Sequence, residues 1–226
     1  MKKLVSVLMT FALLFSMGAC SSNTDSNASS SPAPQSGELH SSQTEESDVS
    51  SVSSEISAPE TEPAETGSRS VVVYFSWSGN TEHVAKSIQS QTDADNFEIV
   101  PATPYSDDYD TVVDLALVEQ RENARPAIAD SIEKIADYDV VYVGYPNWWG
   151  DMPMILYTFF DSYDLSGKTV APFCTSGGSG LSDTVNAIKE LEPNAAVTDG
   201  LHIGSGASSS PDRAVSEWLA EIGLAK

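Results

Sequence analysis

The chain has 226 residues and carries 33 acidic against 11 basic side chains, which gives a formal net charge of −22. Because nucleic-acid phosphates attract basic surfaces, this balance argues against nucleic acid as a partner. The sequence has two cysteines, Cys20 near the N-terminus and Cys174. With only Cys174 in the later part of the chain, an internal disulfide is excluded there.

The first residues have the layout of a secretory signal peptide. Lys2 and Lys3 precede an apolar stretch over residues 4–15, which is shorter than a membrane span. The stretch ends in MGAC at residues 17–20, and small residues before a cysteine resemble a bacterial lipobox. The resemblance implies that residues 1–19 are removed and that a lipid is attached to the thiol of Cys20. An ordinary signal peptide with an incidental cysteine is the alternative.

Residues 20–68 differ in composition from the rest of the chain. They are rich in Ser, Thr, Glu, Pro and Ala, contain no Lys or Arg, and hold only isolated apolar residues such as Val49 and Val52. Because such a segment cannot bury enough apolar surface to offset its chain entropy, we predict that it is disordered. We expect it to act as a spacer between the lipid anchor and a folded domain.

Residues 69–226 are long enough for one domain with a full core. Apolar runs predict strands over residues 71–75, 97–100, 139–144, 169–174 and 195–203. Helical spacing of apolar residues predicts helices over 81–91, 110–121, 153–163, 181–191 and 211–224, with a further helical piece over 126–135. This alternation predicts an α/β fold, a parallel sheet with helices on both faces. In such folds ligands bind beyond the carboxyl ends of the strands.

The loop after the first predicted strand reads SWSGNT at residues 76–81. A phosphate at a helix start meets unpaired backbone N–H groups and the positive end of the helix dipole. The hydroxyl and amide side chains add donors, and Gly79 allows the backbone to approach closely. The loop has no Lys or Arg and lacks the Walker pattern, so it suits a single monoester phosphate. A serine-rich turn with a helix N-cap is the alternative.

The loop after the third predicted strand reads GYPNWWGDMP at residues 144–153. Two adjacent tryptophans in a loop, Trp148 and Trp149, suit a flat apolar ligand ring. Gly150 allows the peptide before it to turn over without a steric penalty. The alternative is that one tryptophan caps the core while the other packs as a lid.

The loop after the fourth predicted strand reads CTSGGSG at residues 174–180. Its glycines and hydroxyls expose backbone N–H groups that suit carbonyl groups of a heterocycle, although a flexible turn would have the same composition. Leu181 stands where a nucleophile elbow has its last glycine, so Ser179 is not predicted to be a nucleophile.

The segments YFSWSGNTEHVA, VGYPNWWGDMP and PFCTSGGSG, in this order, resemble the flavodoxin family, in particular bacterial flavodoxin-like proteins with a tryptophan in the second loop. The resemblance extends from Arg69 to the C-terminus. It implies a doubly wound, five-stranded parallel sheet of order 2-1-3-4-5, with helices on both faces. It also implies FMN as the cofactor.

The resemblance assigns each loop to one part of FMN. The residues implied to cradle the 5′-phosphate are Ser76, Trp77, Ser78, Gly79, Asn80 and Thr81. Those implied to flank the isoalloxazine are Pro146, Asn147, Trp148, Trp149 and Gly150. Those implied to lie on its pyrimidine side are Thr175, Ser176, Gly177, Gly178, Ser179 and Gly180.

These features favour an FMN electron carrier, tethered by its lipid to the outer face of a bacterial membrane. Its expected partners are redox proteins or small electron acceptors, and we predict no catalytic residue. Because an acidic surface repels the anionic reduced flavin, we predict a low reduction potential for the addition of the second electron to FMN. The three histidines, at positions 40, 83 and 202, lack metal-ligand spacing, so no metal is expected.

Two other functions fit the same sequence. One is an FMN-dependent reductase that passes electrons from NAD(P)H to quinones, which ranks second because few basic residues lie near the loops. The other is a binding module that has lost its flavin, which the intact loop at residues 76–81 disfavours.

Overall fold

The computed structural model describes residues 68–226 of the chain. The predicted signal peptide, the lipidation site Cys20 and nearly all of the predicted tether lie outside the described residues. In the described part, strands and helices alternate as the sequence predicts.

One parallel sheet runs through the domain. Its strands in chain order are β1 (Ser70–Tyr74), β2 (Asp95–Glu98), β3 (Val140–Pro146), β4 (Thr169–Ser176), β5 (Ala196–Val197) and β6 (Leu201–Gly204). The spatial order is β2-β1-β3-β4-β5, with β6 also paired to β4. This order confirms the predicted doubly wound topology. It places β1 and β3 side by side at the centre, where every residue of β3 up to Tyr145 is buried.

The predicted last strand, residues 195–203, is split into two short strands. β5 pairs with Thr169 and Val170, and β6 pairs with β4 from Phe173 onward. The gap lies opposite Ala171 and Pro172, and a proline has no N–H to offer a neighbouring strand. Thr198 N still donates to Val170 O at 2.9 Å, and residues 199 and 200 leave the ladder between the two pieces.

Helices cover both faces of the sheet. They are α1 (Asn80–Thr92), α2 (Tyr109–Arg121), α3 (Met154–Ser162), α4 (Thr184–Leu191) and α5 (Asp212–Glu221). One core lies between the sheet and α1 and α5, where Val84 and Val215 are buried, and the other lies against α3 and α4, where Phe159 and Ile188 are buried. None of these five helices is long and apolar enough to cross a membrane.

The predicted helical piece over residues 126–135 is wrong. The chain there is mostly irregular, and only a short 3-10 turn forms at Ile135–Asp137. Its backbone groups are instead satisfied by distant partners. Ala129 N donates to Val100 O at 2.8 Å, and Ile132 N donates to the Tyr163 hydroxyl at 2.7 Å. These tertiary hydrogen bonds take the place of helical ones, although the isoleucines of this segment have helical spacing. The isoleucines are partly buried against the core.

Gly144 in β3 marks a point where the core has no room for a side chain. A Cβ there would lie 2.1 Å from Cζ of Phe173, which is fully buried. We expect Gly144→Ala to lower the free energy of unfolding by about 3 kcal/mol, the upper end of typical overpacking costs. Urea denaturation would measure this change. Gly204→Ala is the matched control, since a Cβ there meets nothing within 4 Å, and equal stability of the two variants would contradict the prediction.

Candidate functional site

Three loops meet at the carboxyl end of the sheet. The loop after β3 is joined to the loop after β4 by Asn147, whose Nδ2 donates to Gly180 O at 3.1 Å and to Ser182 Oγ at 2.9 Å. The start of α1 is joined to the end of β4 by Thr81 and Thr175, whose hydroxyl oxygens lie 2.9 Å apart. The structure therefore brings together all three sequence segments that were predicted to form one site.

The start of α1 presents a cluster of unpartnered backbone donors. Among the described residues, no acceptor takes the amide hydrogens of Ser78, Gly79, Asn80 or Thr81. The next amide, that of Glu82, donates to Ser76 Oγ at 3.2 Å. Gly79 has a φ of 83°, a left-handed conformation that favours glycine and turns the chain into the helix.

This cluster has the chemistry of an anion site. Unpartnered amides at a helix N-terminus, together with the helix dipole, favour negative charge. The one acidic residue in the first turn, Glu82, forms an ion pair with Lys86 on the same helix. The first turn of α1 therefore has no unpaired carboxylate that would repel an anion at these amides.

Thr81 lies beneath the loop. Its residue is only 1% exposed, and its hydroxyl bonds to Thr175 at the end of β4. Ser78, by contrast, is exposed at the surface of the loop. The side chain of Thr81 thus fixes the loop to the sheet, while its amide belongs to the unpartnered cluster.

Trp77 connects this loop to the segment before α2. Its indole Nε1 donates to Ser106 O at 2.9 Å, and its ring packs against Tyr109 with centroids 6.1 Å apart. The indole therefore forms a wall beside the anion site.

The loop after β3 contains a tight turn with two left-handed residues. Trp148 N donates to Asp151 O at 2.8 Å, and Asp151 N donates back to Trp148 O at 3.1 Å. The two residues between them, Trp149 and Gly150, have φ values of 55° and 83°. A turn with two positive φ values favours Asn-Gly, and a tryptophan in the first position is strained. Strain of this kind is often retained at functional sites.

The two tryptophans occupy different environments. Trp148 is half-buried, and its ring meets those of Phe75 and Tyr105 edge-on, with centroids 5.5 and 5.4 Å apart. Trp149 is 53% exposed, and its Nε1 donates to Val113 O of α2 at 2.9 Å. Trp148 is thus fixed by the core, whereas Trp149 is held across the surface by one helix carbonyl.

An aromatic cavity of about 310 Å³ lies between these tryptophans, Trp77 and α2. Its lining includes the rings of Trp77, Tyr109, Trp148 and Trp149, together with Ser179 from the third loop. The wall from α2, which includes Val112 and Val113, was missed from the sequence. The available signal was the adjacent pair of tryptophans in a loop, which predicts an apolar surface nearby, but nothing local identified α2 as part of that surface.

The third loop is organised around Ser176. Its Oγ accepts from Gly178 N at 3.3 Å and Gly180 N at 3.0 Å, and it lies 2.8 Å from His202 Nε2. Since a hydroxyl has two lone pairs and one hydrogen, Ser176 donates to His202, whose ring hydrogen is then on Nδ1. The amides of Gly178 and Gly180 are thus bonded within the loop, whereas those of Gly177 and Ser179 have no acceptor among the described residues.

Cys174 lies next to this loop but is not available for chemistry. It is 1% exposed, and burial raises the pKa of its thiol to about 12. A buried thiol that stays protonated is a poor nucleophile. The described residues contain no group of His, Cys, Asp or Glu side chains suited to hold a metal ion.

The fold and the site together define a doubly wound α/β protein with an anion site and an aromatic cavity at the carboxyl end of its sheet. The flavodoxin family model matches residues 69–222, and the chain belongs to the flavodoxin family. This finding confirms the family that the three loop segments resemble. No curated protein matches the sequence.

Solved structures of similar proteins agree with this assignment. A candidate flavoprotein from Bacteroides eggerthii is 34% identical with a TM-score of 0.63, over 70% of this chain and 99% of its own. One from Bacteroides uniformis is 32% identical with a TM-score of 0.62, over 68% and 99%. A Lactobacillus acidophilus flavoprotein solved in complex with FMN is 27% identical with a TM-score of 0.53, over 62% and 95%.

The buried pair of Thr81 and Thr175 gives a test of how the loop is fixed. Thr81→Val leaves the Thr175 hydroxyl buried without its partner, so we expect it to lower the free energy of unfolding by about 1–3 kcal/mol. In the double variant with Thr175→Val no hydroxyl is left unpaired, and we expect a loss smaller than the sum of the single losses. Denaturant titration of the protein without cofactor measures all three variants, and strictly additive losses would contradict the pairing.

Proposed function

We propose that the protein is an FMN-binding electron-transfer protein. The observation that carries the proposal is the cluster of four amides, without acceptors among the described residues, that follows Trp77, whose ring lines the aromatic cavity. A phosphate monoester and a flat aromatic ring are the two ends of FMN, and the two parts of the site suit one each. The FMN-bound relative from Lactobacillus acidophilus supports the same cofactor.

The residues of the site would act by binding and orienting FMN. The amides of residues 78–81 would hold its phosphate, and the rings of Trp77 and Trp149 would exclude water from the isoalloxazine. The amides of Gly177 and Ser179 would donate to ring carbonyls. Bound FMN supplies reversible electron transfer, which belongs to the cofactor and requires no catalytic side chain.

Negative charge is expected to tune the flavin. Residues 69–226 hold 24 Asp and Glu against nine Lys and Arg. Asp107 lines a small cavity behind Trp77, and Asp151 closes the turn that carries Trp149. These carboxylates repel additional negative charge on a bound ring.

We therefore expect the second electron to enter bound FMN at a lower potential than it enters free FMN. A spectroscopic redox titration measures both potentials. The difference should shrink as salt is added, since exposed charges are screened. A second-electron potential at or above that of free FMN would contradict the proposed effect of the acidic surface.

A reductase acting on NAD(P)H and quinones has less support. No Lys or Arg lines either cavity beside Trp77 in the described part of the chain. A nicotinamide phosphate therefore has no cationic partner at these walls. Sustained oxidation of NADPH in the presence of a quinone would favour the reductase over the electron carrier.

We also propose that the protein is lipid-anchored at Cys20 outside the cytoplasmic membrane, where it exchanges electrons with redox proteins or small acceptors. The sequence MGAC at residues 17–20 supports the anchor. Within the domain, β1 begins at Ser70, at the opposite end of the sheet from the three loops. A tether that enters there leaves the cofactor end free to meet partners.

The anchor predicts a membrane-bound protein whose location depends on one thiol. We expect Cys20→Ala to abolish incorporation of labelled palmitate and to move the protein out of the membrane fraction. Cys174→Ala is the matched control and should remain in the membrane fraction with its lipid. An unlipidated wild-type protein would contradict the proposal.

A further inference from the structure

A histidine of β6 supports the loop that follows β4. His202 Nε2 lies 2.8 Å from Ser176 Oγ, and the same Oγ accepts from the amides of Gly178 and Gly180 at 3.3 and 3.0 Å. The backbone holds the imidazole in place, because His202 pairs with Cys174 in the ladder between β6 and β4. A residue outside the loop thus supports the hydroxyl around which the loop is organised.

The backbone donors fix the direction of every hydrogen bond at Ser176. An amide N–H can only donate, so Gly178 and Gly180 occupy the two lone pairs of the hydroxyl oxygen. The single hydroxyl hydrogen then goes to His202 Nε2, since it has no other acceptor within hydrogen-bond distance in the part of the chain that the structure describes. An imidazole that accepts at Nε2 carries its hydrogen on Nδ1 and is neutral.

Protonation of His202 removes this acceptor, because an imidazolium has a hydrogen on each ring nitrogen. The charged ring either donates to Ser176 and displaces one amide, or turns into solvent and leaves the hydroxyl hydrogen without its acceptor. A hydroxyl that donates is also a stronger acceptor, so the second arrangement weakens the bonds to the loop amides as well. Both arrangements loosen residues 177–180, where the amides of Gly177 and Ser179 have no acceptor among the described residues.

The surroundings of His202 leave it free to change charge. The residue is exposed, β4 has no charged side chain, and the buried thiol of Cys174 stays protonated. Leu201 and Ile203 pack in the core with α5, so His202 lies on the opposite face of β6, with Cys174 and α4. The charged groups ahead of β6 and in the α4 segment are Asp199, Asp183, Lys189 and Glu190. Those of α5 are Asp212, Arg213, Glu217 and Glu221. In residues 68–226 none of these groups forms an ion pair with His202.

We propose that His202 is a positioning residue for the flavin ring and that its neutral form favours ring binding. It acts through Ser176, which holds the amides of Gly178 and Gly180. The inference rests on the proposed function, because it requires the isoalloxazine of FMN to bind beside residues 177–180. It predicts that the affinity for FMN falls when His202 is protonated.

NMR spectroscopy of the wild-type protein without flavin tests the hydrogen bonds themselves. At about pH 8, a long-range ¹H–¹⁵N spectrum should show His202 Nε2 without a hydrogen. Lowering the pH to about 5.5 spans the range in which histidine gains its charge, and the amide protons of Gly178 and Gly180 should shift along the titration curve of His202. A hydrogen on Nε2 at about pH 8, or glycine amides that do not follow the titration, would overturn the inference.

FMN binding tests the functional part. We expect the wild-type protein to bind FMN about five-fold more weakly than His202→Gln at about pH 5.5, the loss typical of one hydrogen bond, and equally well at about pH 8. A glutamine carboxamide can accept from Ser176 through its oxygen, but it gains no charge. Because both proteins are compared at the same pH, the ionisation of the FMN phosphate, with a pKa of about 6, cancels.

His83→Gln is the matched control, because His83 is the other histidine of the described residues and is also exposed. The five-fold effect of His202→Gln at about pH 5.5 should persist in a His83→Gln background. His202→Ala offers Ser176 no acceptor, so it should bind FMN about five-fold more weakly than His202→Gln at both pH values.

The outcomes separate this inference from the proposed function. If wild-type protein binds FMN with the same pH dependence as His202→Gln, the role of His202 is refuted and the FMN site stands. If wild-type protein binds no FMN at either pH, the proposed function and the role of His202 are both refuted.

Discussion

The site depends on four amide N–H groups that the start of α1 leaves without protein acceptors among the described residues. They are held in place from three sides: by the left-handed turn at Gly79, by the buried hydroxyl pair of Thr81 and Thr175, and by Asn80 through Ser208. Backbone donors and the helix dipole offer positive potential without a side-chain cation. A strongly acidic domain can therefore bind an anion at a neutral loop.

Trp77, next to the four amides, forms one wall of the aromatic cavity, and the other walls come mainly from α2 and the loop after β3. The indole of Trp77 donates to the carbonyl of Ser106, just before α2, and the indole of Trp149 donates to the carbonyl of Val113 within α2. The strained turn that carries Trp149 is stabilised by Asn147, whose Oδ1 accepts from Gly150 N at 3.0 Å. A ligand that fills the cavity would contact both the wall from α2 and this strained turn.

The sequence predicted the alternation of strands and helices and the three loops because both follow from local patterns: buried apolar runs, and glycines and hydroxyls at strand ends. The order of the strands was implied by the resemblance to the flavodoxin family. The prediction failed where contacts with residues distant in the sequence determine the backbone conformation. Residues 126–135 have helical spacing but bond to Val100 and Tyr163 instead. The last strand divides opposite Pro172 of another strand. The contacts of Ser208 with Asn80 and of His202 with Ser176 join distant segments, which no local pattern shows.

The most direct test of the central claim is an NMR titration of the ¹⁵N-labelled protein with FMN. If the phosphate binds at the start of α1, the amide protons of Ser78, Gly79, Asn80 and Thr81 should move downfield as they acquire an acceptor. The amide of Glu82, which already donates to Ser76, should move less. Unchanged resonances of the four amides under conditions where FMN binds would show that the phosphate lies elsewhere and would contradict the account.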